Sequence, residues 1–158
     1  MTVGNPMTTY DHTQVGRFII ATLLLVLAGA AAAFVLIHSA AMLLVFAPAM
    51  AFVGLMLGSL RVRVNAEALS FAFGVGLVRR RIPLDDIVSC VETKVRLHEG
   101  IGIHLGFRGW VYNVSGLTAV LITRKKGLPI VLGTDEPAAL ARAVNAAMEQ
   151  MRGLRPAR

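Results

Sequence analysis

Residues 18–60 contain no Asp, Glu, Lys or Arg, and this uncharged run constrains the fold more than any other feature of the chain. One crossing of a hydrocarbon core about 30 Å thick takes about 20 apolar residues rising roughly 1.5 Å each, so the run suits two crossings and is too long for one. Its main hydrophilic interruption is His38-Ser39, near the middle. The pattern predicts helices over 18–37 and 40–60 joined by a very short turn. Neither half shows a polar stripe at the 3.6-residue period, which a surface helix of a soluble protein would display. A cleaved secretory signal ending in the Ala28-Gly29-Ala30-Ala31-Ala32-Ala33 block is the competing reading. The second apolar segment and the late position of Arg17 argue against it.

Positive charge flanks this run on both sides. Arg17 precedes it and Arg61 and Arg63 follow it, while the turn offers only His38, so the positive-inside rule predicts that both ends lie in the cytoplasm. The chain carries a net charge of +7. Asp11 and Arg17 cancel, so the excess belongs to residues 61–158. A basic body held against a membrane follows.

Small residues recur four apart within the apolar run: Gly29 with Ala33, Ala47 with Ala51, and Gly54 with Gly58. Such rows let helix backbones approach closely in lipid, where packing replaces the hydrophobic effect as the force of association. They are expected to join the two helices of one chain, with homodimerisation through Gly54-xxx-Gly58 as the alternative. Pro48 is expected to kink the second helix. The absence of ionisable groups at membrane depth argues against an ion-coupled transporter.

Residues 1–17 read as a disordered N-terminal tail, because the first fourteen are rich in Thr, Gly and Asn and lack an apolar period. Beyond residue 60 the pattern becomes one of short strands. Arg61-Val62-Arg63-Val64 alternates, Asn65-Ala66-Glu67-Ala68 forms a turn, and Leu69, Phe71 and Phe73 share one face of the next strand. Gly74-Val75-Gly76 supplies a bend before a strand over 78–82. Further strands are expected at 87–91, 110–114, 119–123 and 130–132, the last two joined by the hairpin loop Arg124-Lys125-Lys126-Gly127. A helix over about 135–152 follows, capped by Thr134 or Asp135. It presents Leu140, Val144, Ala147, Met148 and Met151 on one face. About seven strands and one helix over residues 61–155 make a single small domain, an antiparallel barrel or sandwich.

The helical hairpin leading into strands, the stretch Arg81-Ile82-Pro83-Leu84-Asp85-Asp86-Ile87, the segment Gly109-Trp110-Val111-Tyr112-Asn113-Val114-Ser115-Gly116, and Gly133-Thr134-Asp135-Glu136-Pro137 together resemble bacterial membrane proteins with a pleckstrin-homology-like domain. The resemblance covers residues 18–155. It implies an α+β membrane protein: a transmembrane hairpin, then a strongly bent antiparallel barrel of seven strands closed at one end by the C-terminal helix. It implies a multi-pass location in the bacterial inner membrane. Such a fold serves binding more often than catalysis.

Eukaryotic relatives of that fold bind phosphoinositides with basic residues around the loop joining their first two strands, and here that loop reads Asn65-Ala66-Glu67-Ala68. The basic groups sit elsewhere. Arg79 and Arg81, Lys94, Arg96, and Arg124, Lys125 and Lys126 are the candidate contacts for an anionic leaflet or ligand. Alternation puts Arg80 on the face opposite Arg79 and Arg81, so the three are not expected to reach one ligand together. A basic group near an anionic leaflet contributes about 1 kcal/mol. Nucleic acid is not expected as a partner, since the basic residues do not gather on one helix and aromatics are few.

Chemistry finds little support. Asp85 and Asp86 are adjacent on an extended segment and point apart, so they do not form an acid–base pair. The four histidines are dispersed, and no metal site is expected. The glycines at 100, 102, 106, 109 and 116 do not open a helix or meet a Lys-Ser or Lys-Thr pair, which leaves bends and bulges as their use. Cys90 reads as a core residue. No cofactor and no enzymatic activity are expected. The reading that remains is a membrane-tethered module that binds membrane lipids, or a protein or peptide, at the inner leaflet. Its alternative is an accessory subunit of a larger membrane assembly, packing through the hairpin.

Overall fold

The computed structural model describes residues 8–37, 40–95, 102–114 and 116–153. In chain order these form β1 (Thr8–Val15), α1 (Arg17–Ile37), α2 (Ala40–Leu57), β2 (Ser59–Asn65), β3 (Ala68–Phe73) and β4 (Val78–Pro83). A 3₁₀ turn at Leu84–Asp86 leads to β5 (Ile87–Lys94), β6 (Gly102–Gly106), β7 (Gly109–Asn113), β8 (Thr118–Arg124), β9 (Ile130–Gly133) and α3 (Pro137–Gly153). The chain is thus α+β, with two sheets and a C-terminal helix.

The first sheet has the order β1-β2-β3-β4 and is antiparallel throughout. The second has the order β5-β8-β9-β7-β6 and is mixed, because β7 runs parallel to β9. A wholly antiparallel arrangement of seven strands was the expectation. Nine strands form among the described residues, and the two additional ones have identifiable reasons.

The strand β1 occupies residues 8–15 of the expected disordered tail. Its sequence TTYDHTQV carries polar side chains at both phases, which hides the period-2 signal. Pairing with β2 over seven residues, from Thr8 with Asn65 to Val15 with Ser59, fixes it nonetheless. Tyr10 packs on the core, and His12 and Tyr10 reach the start of α3. The strand β6 lies in the glycine-rich region read as bends. It pairs with β7 through the two-residue turn Phe107-Arg108, after which Gly109 has φ +119 and a Cβ there would collide with the Pro129 carbonyl.

The core lies between the sheets. Leu60, Val62 and Val64 of β2 and Leu69, Phe71 and Phe73 of β3 are buried at alternate positions, facing Tyr112, Val120, Ile122, Ile130 and Leu132 of the second sheet. Tyr112 joins the layers: its ring meets Phe71 edge-on at 4.9 Å and Phe73 at 6.1 Å. The helix α3 adds Leu140, Ala141, Val144, Ala147 and Met148, the stripe its 3.6-residue spacing predicts. Pro137 opens it, where a missing N–H costs nothing, and the Thr134 hydroxyl accepts the Glu136 N–H at 3.1 Å. Asn145 then donates from Nδ2 to the Cys90 carbonyl at 3.0 Å, tying α3 to β5. Cys90 is buried, as expected of a core residue.

Both apolar helices leave large side chains uncovered. Leu25, Leu36 and Leu44 are each more than 70% exposed, and Phe52 is 61% exposed. Over Ile19–Leu36 the mean hydropathy is 2.7 and only 6% of residues are buried, so α1 is long and apolar enough to cross a membrane. The shorter apolar stretch Leu44–Met56 belongs to α2, which contains Pro48. This helix ends at Leu57 rather than at residue 60. Gly58 donates its N–H to the Gly54 carbonyl, and Ser59 and Leu60 already belong to β2, with Leu60 fully buried beneath the sheet. His38 and Ser39 lie outside the described residues.

Candidate functional site

The outer face of the first sheet carries a cluster of arginines set by strand register. On β2, alternation turns Arg61 and Arg63 outward while Leu60, Val62 and Val64 enter the core. Their neighbours on β3 are Ala72 and Ser70, and beyond these on β4 stand Arg79 and Arg81. Two cross-strand rows result, Arg61–Ala72–Arg79 and Arg63–Ser70–Arg81. Small side chains in the middle and long ones at the sides leave a groove of about 540 Å³.

Arg80 also borders this groove, together with Gly74, Val75 and Gly76. In register Arg80 stands opposite Phe71, whose ring faces the core, so the expected alternation holds. All three consecutive arginines border the groove, with Arg80 on the face of β4 opposite Arg79 and Arg81, as alternation predicts.

Two carboxylates line the margins. Asp11 of β1 accepts from Arg61 at 2.8 and 2.7 Å and from Arg63 at 3.1 Å. The hydrogen bonds from Arg61 hold the Asp11 carboxyl below the usual carboxylate range, against a smaller opposing effect of burial. Glu67 accepts from Arg81 at 2.8 Å. Arg79 instead donates from Nε to the Gly76 carbonyl at 2.5 Å, and among the described residues neither Arg79 nor Arg80 has a carboxylate partner. Five arginines thus border a groove with two carboxylates at its margins. The surplus positive charge lies toward β4.

The groove begins at the base of the helices. Gly74, at φ +50, opens the turn between β3 and β4 and lies so close to the last turn of α2 that a Cβ there would collide with the Leu55 and Met56 carbonyls. Its N–H donates to the Ser59 carbonyl at 2.8 Å. The same turn exposes Val75 and Leu77.

The other expected basic contacts are distributed differently. The Arg124–Gly127 loop is pinned at the far end of the first sheet: Asp86, just past the end of β4, accepts the Lys125 N–H on its carbonyl at 2.7 Å and the Lys126 N–H on its carboxylate at 3.0 Å. Lys94 stands exposed at the end of β5, and Arg96 falls outside the described residues. Arg61 and Arg63, counted in the sequence only as flanking charges, prove to be two of the five members of the cluster. The repeated Arg-x-Arg of residues 61–63 and 79–81 is the signal for it, readable only once β3 is placed between them.

The small residues of the hairpin also separate. A Cβ on Gly54 would stand 3.0 Å from Leu23 Cδ1, so this glycine admits α1 of the same chain. Gly58 terminates α2, and Gly29 has open space around it. Ala33 and Ala47 are partly buried and Ala51 is exposed.

Neither protein-family models, nor curated proteins, nor solved structures provide a match to this chain.

Proposed function

We propose that the chain is a membrane-tethered interaction module of pleckstrin-homology-like type, anchored by α1 and α2 in the bacterial inner membrane with both termini in the cytoplasm. The observation that carries this reading is the β1–β2 ladder. Its strands lie at the two outer ends of the helical pair, and they are hydrogen-bonded over seven residues. They must therefore stand on the same side of any membrane. If α1 crosses, α2 returns. At about 1.5 Å per residue, its 18 residues reach about 27 Å, close to the thickness of a hydrocarbon core. The same ladder opposes cleavage of α1 as a signal, since cleavage would strip β1 from its sheet.

Tethering suits a binding role. No loose linker separates α2 from β2, so the domain is held close to the leaflet, where even weak contacts are strengthened by a high effective concentration. The two sheets, the helix α3 and the absence of a catalytic constellation in the sequence support binding of lipid headgroups or of a protein rather than catalysis. The parallel pairing of β7 with β9 departs from the pattern that the resemblance implies.

Cysteine accessibility tests the topology. In sealed membrane vesicles, Thr9→Cys and Lys126→Cys are labelled by an impermeant thiol reagent from the same side, and Ser39→Cys from the other. Labelling of Thr9→Cys and Lys126→Cys from opposite sides, or release of the protein by alkaline carbonate, would overturn the reading. Photocrosslinking from position 70 in intact cells identifies what the module touches.

A further inference from the structure

We infer that the groove between β2 and β4 seats the phosphate of an anionic phospholipid, held between Arg61 and Arg79 above Ala72. This deepens the proposed function and rests on it. Strands two places apart in a sheet are separated by roughly 10 Å, so guanidinium groups from β2 and β4 can approach one phosphate from both sides while Ala72 leaves its place open. Arginine is suited to this, since its planar fork binds phosphate oxygens in pairs.

The electrostatics of the groove are incomplete without an anion. Asp11 occupies Arg61 and Arg63 at one margin and Glu67 occupies Arg81 at the other. Arg79 faces the cavity with backbone as the only partner shown, the Gly76 carbonyl. A phosphate supplies the missing negative charge where the surplus lies.

Position selects the source of that phosphate. Arg61 lies three residues beyond Gly58, at most about 10 Å along an extended strand, just beyond a polar layer that extends roughly 5–8 Å past the hydrocarbon core, and its long side chain can reach back into that layer. The row Arg61–Ala72–Arg79 therefore meets the headgroups of the leaflet from which the helices emerge. Below it, the turn that closes the groove exposes Val75 and Leu77, which are 58% and 72% exposed, against the last turn of α2. Apolar side chains at the acyl boundary with arginines one row above match the polarity of a phospholipid. A nucleic acid would want bases stacked on aromatic rings, and the one aromatic residue bordering the groove, Phe71, turns its ring into the core.

The experiment is a lipid titration of the full chain in mild detergent micelles, read by native mass spectrometry, with phosphatidylglycerol against phosphatidylcholine. A basic group near an anionic surface contributes about fivefold, so Arg61→Gln with Arg79→Gln is expected to lower phosphatidylglycerol affinity about twenty-five-fold. Lys125→Gln with Lys126→Gln, which removes the same charge at the far end of the sheet, stays within about twofold. Ala72→Glu retains every arginine and blocks the seat, so it gives the same loss as the arginine pair. Circular dichroism checks that each variant is folded.

Equal losses in the groove and loop variants, or no preference for phosphatidylglycerol over phosphatidylcholine, would overturn the site. Binding of inorganic phosphate or glycerophosphoglycerol as tight as that of the lipid would reassign it to a soluble ligand and overturn the lipid. Either result leaves the same-side labelling intact if the tethered module is correct. Failure of that labelling removes the module reading itself.

Discussion

Asp11 receives two parallel hydrogen bonds from Arg61, at 2.8 and 2.7 Å, across a strand pair whose members are separated in sequence by both apolar helices. The contact joins the N-terminal strand to the groove, and its charge makes it sensitive to acid and salt. Asp11→Asn is expected to lower the melting temperature slightly at pH 7. Because the folded-state pKa is depressed, the stabilisation is fully present above the unfolded carboxylate pKa and is lost as pH falls through the folded value. The gap between wild type and variant in thermal melts thus closes in acid. It also narrows at high salt, as for any exposed ion pair.

At the other extreme of pH, Tyr10 carries the signal. Burial, with the Glu136 carboxylate second, raises its phenol from 10.0 to about 12. A raised pKa means stabilisation present below the unfolded value and lost as pH climbs through the folded one, between about pH 10 and 12. Tyr10→Phe should be less stable than wild type at neutral pH, having lost the hydrogen bond to Glu136. Alkaline melts should show the two converging.

Cys90 should resist modification. Burial drives its thiol up to about 12, and the thiolate is the reactive form, so at pH 8 only about one molecule in ten thousand is ionised. Mass spectrometry after iodoacetamide treatment is expected to find no adduct in the folded protein and complete alkylation in denaturant. Rapid alkylation without denaturant would place Cys90 outside the core.

Two substitutions on α3 separate packing from hydrogen bonding. Leu140 is fully buried, and Leu140→Ala should cost about 3 kcal/mol by denaturant titration. Asn145→Ala removes one bond to the Cys90 carbonyl and should cost about 1 kcal/mol. A reversed order would mean that α3 is held by its polar edge rather than its apolar face.

What could be read in the sequence, and what could not, follows from the range of the signals. The uncharged run and the α3 stripe rest on local periodicity, and both led to helices near the expected positions. Asn65, Gly74 and Gly127 act within their own turns, so those turns were legible: Asn65 Oδ1 accepts the N–H groups of Glu67 and Ala68. The β1 strand was not, because the groups that hold it lie on β2 and α3, far along the chain. Gly102 and Gly106 bound β6 and obscured a strand only five residues long. The groove was hidden for a related reason. Arg61, Arg63, Arg79 and Arg81 are separate pairs until the register of β3 sets Ala72 and Ser70 between them.

The position of β1 also governs the order in which the chain can complete itself. Synthesis delivers this strand before its partner β2, which emerges only after both helices. A growing chain must therefore hold β1 in reserve until α1 and α2 are in place, and the sheet closes across their ends as a late, long-range event. If the helices span a bilayer as proposed, failure of one to insert would leave the two strands on opposite sides of it. The outer edge of β2 then stays bare, an open template for aggregation and a mark by which a misassembled copy can be told from a finished one.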